Sequence, residues 1–134
     1  MKYMLDTNIC IFAIKNKPEN VIKTLKSKDP DDICISAITY AELSHGVEKS
    51  QYADRNRLAL SLFLANITIL DFDQNASEEY GKIRAELERK GTPIGPMDML
   101  IAGHARSKDL ILVTNNTSEF SRVSDLTIED WKES

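Results

Sequence analysis

Tyr3-Met4-Leu5-Asp6-Thr7-Asn8 is the stretch on which the reading of the chain turns. Three consecutive apolar residues with no polar alternation are the pattern of a short strand covered on both faces. Asp6 and Thr7 then open a helical pattern that runs to residue 16, with Asp6 suited to cap its first turn. A carboxylate therefore stands where a buried strand ends and a helix begins. Open α/β sheets place their ligands at that edge.

Outward from this stretch the same grammar repeats. Apolar runs at residues 33–35, 67–70 and 110–113 read as strands, with a weaker one at 126–128. Between them lie helical patterns at 7–16, 20–28, 37–50, 54–66, 74–90 and 96–108, with Pro96 suited to a first turn. Strands alternating with helices predict an α/β fold: a three-layer α/β/α sandwich around a mostly parallel central sheet of four to five strands. There is no internal repeat, low-complexity tract or linker, so residues 1–134 read as a single domain.

The strand ends collect carboxylates. Asp6 follows the first strand, Glu42 lies in the first turns of the helix after the second, and Asp98 in the first turn of the helix opening at Pro96. Asn115 and Asn116 follow the fourth strand, with Glu119 three residues further on. Each has a plain local explanation. Asp6 caps a helix, Thr39-x-x-Glu42 matches a capping box, and Asp98 complements a helix dipole. As a set they are harder to dismiss, because converging carboxylates repel unless a cation neutralises them. Oxygen ligands select hard ions, Mg²⁺ or Mn²⁺, and such a site suits hydrolysis of phosphate esters.

The composition bounds the alternatives. The 134 residues are 42% hydrophobic and 28% charged, ordinary for a globular protein. The net charge of −4 argues against a protein that coats nucleic acid, though not against an enzyme that touches a short stretch of RNA. No apolar run approaches the roughly 20 residues of a membrane span. The run at residues 9–14 is too brief for a signal peptide. Cys10 and Cys34 lack metal or redox spacing and read as buried thiols of a cytoplasmic protein. His45 lies one turn after Glu42, but a di-iron site needs a second such motif; His45 reads as a partly exposed helix residue and His104 as structural.

Four blocks carry a resemblance. Met4–Asn8 (MLDTN), Ala41–Leu43 (AEL), Asp98–Ala102 (DMLIA) and Leu112–Phe120 (LVTNNTSEF) resemble, in that order, the signature blocks of PIN domains, and in particular their VapC toxin branch. The resemblance implies that Asp6, Glu42 and Asp98 fall on the three core acidic positions. Asp6 and Asp98 would be the principal Mg²⁺ ligands, with Mn²⁺ able to substitute, and Glu42 a ligand that also orients the attacking water. The fourth acidic position falls on Asn116, an amide without charge, and Glu119 stands close enough in sequence to supply it. Thr7, Asn8, Ser36 and Thr114 would orient the ligands. The implied activity is endonucleolytic hydrolysis of structured RNA, tRNA or rRNA, to 5′-phosphate and 3′-hydroxyl ends. The implied partners are a VapB-type antitoxin, operator DNA reached only through the antitoxin complex, and a second copy in a homodimer.

Other classes fit less well. A phosphatase of this type wants a second aspartate where Asn8 stands, and a phospho-accepting receiver wants a lysine where the chain has Thr114-Asn115-Asn116. A binding module with a degenerate site conflicts with three intact acids, and structure-specific DNA nucleases are usually larger.

Overall fold

The computed structural model describes residues 1–132. Its elements follow in order β1 (Tyr3–Leu5), α1 (Thr7–Lys15), α2 (Glu19–Lys26), β2 (Ile33–Ser36), α3 (Ala37–Glu48), α4 (Ala53–Leu64), β3 (Thr68–Leu70), α5 (Gln74–Lys90), α6 (Pro96–Ser107), β4 (Ile111–Val113), α7 (Thr117–Phe120) and β5 (Ile128–Glu129). The five strands form one sheet in the order β3-β2-β1-β4-β5, and every pairing is parallel. The α/β reading from sequence is borne out, with the sheet parallel throughout. β5 begins two residues later than the apolar run at 126–128 suggested, because pairing sets Ile128 opposite Leu112 and Glu129 opposite Val113. α7 had no periodic signal in the sequence; its four residues are too few to show one.

β1 sits in the middle and is buried along its whole length. Met4 points into a core with Ile83, Leu87, Ile101 and Phe120, while Tyr3 and Leu5 point into a second core with Ile9, Leu43, Leu60 and Trp131. Cys10 and Cys34 are buried thiols that belong to these two different cores. The α5–α6 pair leans on Gly103, where an added Cβ would stand 2.8 Å from the Tyr80 amide nitrogen. Only glycine lets the two backbones approach so closely. Among the described residues no helix is long and apolar enough to cross a membrane.

Because all strands run the same way, their carboxyl ends share one edge, and α1, α3 and α7 begin beside that edge. The candidate residues are gathered there.

Candidate metal and phosphodiester site

Asp6 is both a helix cap and the centre of this edge. It is the N-cap of α1, where its Oδ1 accepts the Ile9 amide hydrogen at 2.9 Å, and it is only 4% exposed. Burial is the main reason its carboxyl is pushed up to about 6, and the charges of Asp98 and Glu42 push it the same way. The Thr114 side chain and the Ile9 amide hydrogen-bond the carboxylate and oppose that rise. Thr114 also accepts the Asn116 amide hydrogen at 2.9 Å, which ties the end of β4 to Asp6.

Glu42 sits on the second turn of α3, half-buried. The Thr7 hydroxyl donates to its Oε1 at 2.5 Å and lies 3.5 Å from the Thr39 hydroxyl. The capping-box reading of Thr39-x-x-Glu42 does not hold. Ser36 is the N-cap of α3, its Oγ accepting the Ile38 amide hydrogen at 3.1 Å. That frees Glu42 to turn toward Thr7 and the sheet edge.

Asp98 lies in the first turn of α6, half-buried, with one oxygen 3.5 Å from where a Cβ on Gly95 would stand. Its carboxyl is also pushed up to about 6, chiefly by burial, then by the charge of Glu119 and then that of Glu42. Glu119, on α7, thus bears on Asp98 more strongly than Glu42 does.

The remaining residues divide. Thr7 and Thr114 touch carboxylates of the set. Ser36 does not; its hydroxyl faces Ile38 and His104 Nδ1, the latter at 2.7 Å. Asn8 is exposed, and Asn116 occupies the N-cap position of α7 without a side-chain capping bond. Two buried groups carry more than the sequence reading assigned them. Asn115 Oδ1 is buried with no partner among the described residues, beside Thr114 and Asn116. His104 has no exposed surface, packs edge-on against Phe72, and is kept below the ordinary histidine range mainly by burial.

Asp98 and Glu42 push the Asp6 carboxyl up, and Glu119 and Glu42 push that of Asp98 up, so these carboxylates form one electrostatic cluster that is costly without a counter-charge. Among the described residues no three potential ligands are close enough to enclose an ion as they stand. Glu42 and Asp98 are only half-buried, so the cluster suits a cation that keeps water or substrate oxygens in its shell.

A groove of about 320 Å³ leads away from Glu42 between α1, α3 and α4, walled by Ile11, Ile14, Leu43, Val47 and Leu60.

Comparison with known proteins settles the family. The PIN domain matches residues 3–126. A Shigella flexneri protein named tRNA(fMet)-specific endonuclease VapC is 53% identical over 131 residues, covering 98% of each chain. The chain is a PIN-domain protein of the VapC family. Ribonuclease VapC2 of Haemophilus influenzae, a further VapC, is 46% identical over 98% of both chains. The DNA-bound VapBC complex of Salmonella typhimurium contains a VapC chain that superposes with a TM-score of 0.93 at 50% identity, covering 98% of each. Of the four blocks seen in the sequence, Met4–Asn8 and Leu112–Phe120 span the ends of β1 and β4, while Ala41–Leu43 and Asp98–Ala102 lie in the early turns of α3 and α6.

Proposed function

We propose that this VapC is the toxin of a type II toxin–antitoxin pair, an endoribonuclease that cuts structured RNA and so inhibits translation. The observation that carries this is Asp6, a carboxylate 4% exposed at a strand end and pushed up to about 6 in part by two further carboxylates. Capping α1 needs Asp6 but not its neighbouring carboxylates, and their convergence is costly unless a cation offsets it. The name of the Shigella flexneri relative makes tRNA(fMet) the first substrate to try, with rRNA the alternative. We read residues 1–134 as one PIN domain acting in the cytoplasm.

A divalent cation, Mg²⁺ with Mn²⁺ as a substitute, would be held by Asp6 and Asp98 and, directly or through water, by Glu42. When bound, it supplies water activation and charge neutralisation at the scissile phosphate. The chain supplies the rest. Thr7 occupies Glu42 Oε1, which leaves Oε2 to accept a proton from the attacking water. Thr114 holds the Asp6 carboxylate in one orientation while tying it to β4. Glu119 supplies charge beside Asp98 that the amide of Asn116 lacks, and Asn116 lends at most a neutral oxygen. Water attacks phosphorus and the ribose 3′-oxygen leaves, giving a 5′-phosphate and a 3′-hydroxyl with no covalent enzyme intermediate.

A VapB-type antitoxin, laid along the apolar groove beside Glu42, would block the carboxylates. The pair, built on a toxin homodimer, would bind operator DNA through the antitoxin. The VapBC complex of Salmonella typhimurium is itself bound to DNA, which supports that reading.

The test is cleavage of total tRNA and rRNA with Mg²⁺, comparing antitoxin-free protein with Asp6→Ala. Discrete fragments bearing 5′-phosphates, abolished by EDTA and by the substitution, are expected. Absence of cleavage by folded protein with Mg²⁺ and with Mn²⁺ would refute the ribonuclease reading for those RNAs.

A further inference from the structure

Charge is distributed unevenly along this chain. Residues 1–28 carry six lysines, Lys2, Lys15, Lys17, Lys23, Lys26 and Lys28, against two carboxylates, Asp6 and Glu19, although the whole chain has net charge −4. Of the eleven cations elsewhere, six are paired: Arg57, Lys82, Arg84, Lys90, Arg106 and Lys108 each lie within 4.0 Å of a carboxylate. Among the described residues none of the six N-terminal lysines is in such a pair.

Two of the six have other contacts. Lys2 and Lys28 lie over the Tyr3 ring at 5.3 and 5.0 Å, at the amino end of β1 and away from the carboxylates. The other four are exposed. Lys15 closes α1 and lines the same groove as Glu42. Lys17 lies in the turn between the helices, and Lys23 and Lys26, three apart on α2, share a face.

We propose that Lys15, Lys17, Lys23 and Lys26 form a docking strip for the phosphate backbone of the RNA substrate, running from the groove at Glu42 onto the outer face of α2. The strip rests on the ribonuclease reading. An acidic protein repels a polyanion, and a run of unpaired lysines that starts beside Glu42 at Lys15 and continues along α2 to Lys26, near the amino end of β2, gives RNA a place to approach. A protein partner would need apolar anchors as well, and the groove at Lys15, with Ile11 and Ile14 in its wall, has them for the antitoxin. Beyond that groove the strip has none: among the described residues no exposed large apolar side chain belongs to α2, whereas α4 presents Leu58 and Leu62.

The experiment measures binding and cleavage of unfractionated tRNA by the full chain as NaCl is raised. Binding is read in EDTA and cleavage in Mg²⁺, using Lys17→Ala/Lys23→Ala/Lys26→Ala. The triple variant should bind about tenfold more weakly or worse, with the salt slope reduced by about 2 to 3, as expected for three lost phosphate contacts. It should cleave with raised KM and unchanged kcat. The matching Lys→Arg triple should restore binding, and Lys82→Ala/Arg89→Ala on α5 should leave the slope as it was. Unchanged slope and KM in the Ala triple overturn the strip while leaving the ribonuclease reading standing. So does a triple that binds RNA normally but loses affinity for its antitoxin, which makes the surface a protein site. Lysine-dependent binding by wild-type protein that never cleaves supports the strip and sinks the ribonuclease reading instead.

Discussion

Ser36 Oγ and His104 Nδ1 lie 2.7 Å apart, and neither residue has any exposed surface. The pair joins α6, which carries Asp98, to the start of α3, which carries Glu42. A buried bond of this kind costs more to break than it contributes when made, because its partner is left without water. His104→Leu should lower stability by about 1–3 kcal/mol in denaturant unfolding. His104→Asn, whose amide can reach Ser36, should recover most of it. If the bond aligns the two helices, the leucine variant will also need more Mg²⁺ for half-maximal cleavage.

Thr7 offers a finer probe of Glu42. Its hydroxyl is the group that fixes Oε1. Thr7→Val keeps the shape and removes the donor, and should reduce kcat about tenfold with KM little changed. Thr7→Ser should stay near wild type. Loss in Thr7→Ser with Thr7→Val near wild type would mean that the methyl group matters rather than the hydroxyl.

Acid should stabilise the metal-free protein at Asp6. Its carboxyl rises from 3.8 to about 6 on folding, so the folded state holds that proton more tightly than the unfolded one. The contribution is fully present below about pH 4 and is lost as pH rises through about 6. Asp6→Asn keeps a capping side chain without the charge. In EDTA, unfolding free energies of the variant and wild type should diverge by on the order of 2–4 kcal/mol between those limits, the variant being the more stable at neutral pH. Mg²⁺ should narrow the gap by binding wild type. A pH-independent difference would show that Asp6 is not a buried charge.

Two glycines should respond in opposite directions. At Gly103 a methyl group would meet the Tyr80 backbone at 2.8 Å, whereas at Gly81, on exposed α5, nothing lies within 4 Å. Gly103→Ala should destabilise by about 1–3 kcal/mol, because backbone cannot step aside as a side chain can. Gly81→Ala should stabilise by about 0.5–1 kcal/mol through helix propensity. Thermal melts of the two variants check both signs.

What the sequence could reveal follows from how local each signal is. Asp6 was legible because strand, cap and helix lie within a few residues, and the apolar runs placed Asp98 at the same edge. Glu42 was legible only in position. Its capping-box pattern was a false lead, since Ser36 begins the helix three residues before Thr39. The Ser36–His104 bond joins residues 68 apart, and no pattern in either segment names the other. Asn115 looked like ordinary turn chemistry, and only burial distinguishes its side-chain oxygen. The influence of Glu119 on Asp98 likewise depends on a proximity between α7 and α6 that residue spacing does not state.

The strand order has a consequence for how such a protein is made. β1 lies between β2 and β4, and Asp6 is held by Thr114, so the first strand cannot acquire both neighbours until residues 111–114 exist. Chains are synthesised from the amino end. A nascent chain therefore carries Asp6 through most of its translation without Thr114, which aligns it, and without Asp98. A toxin of the kind proposed would stay blunt while the ribosome is still making it, armed only as the last fifth of the polypeptide emerges.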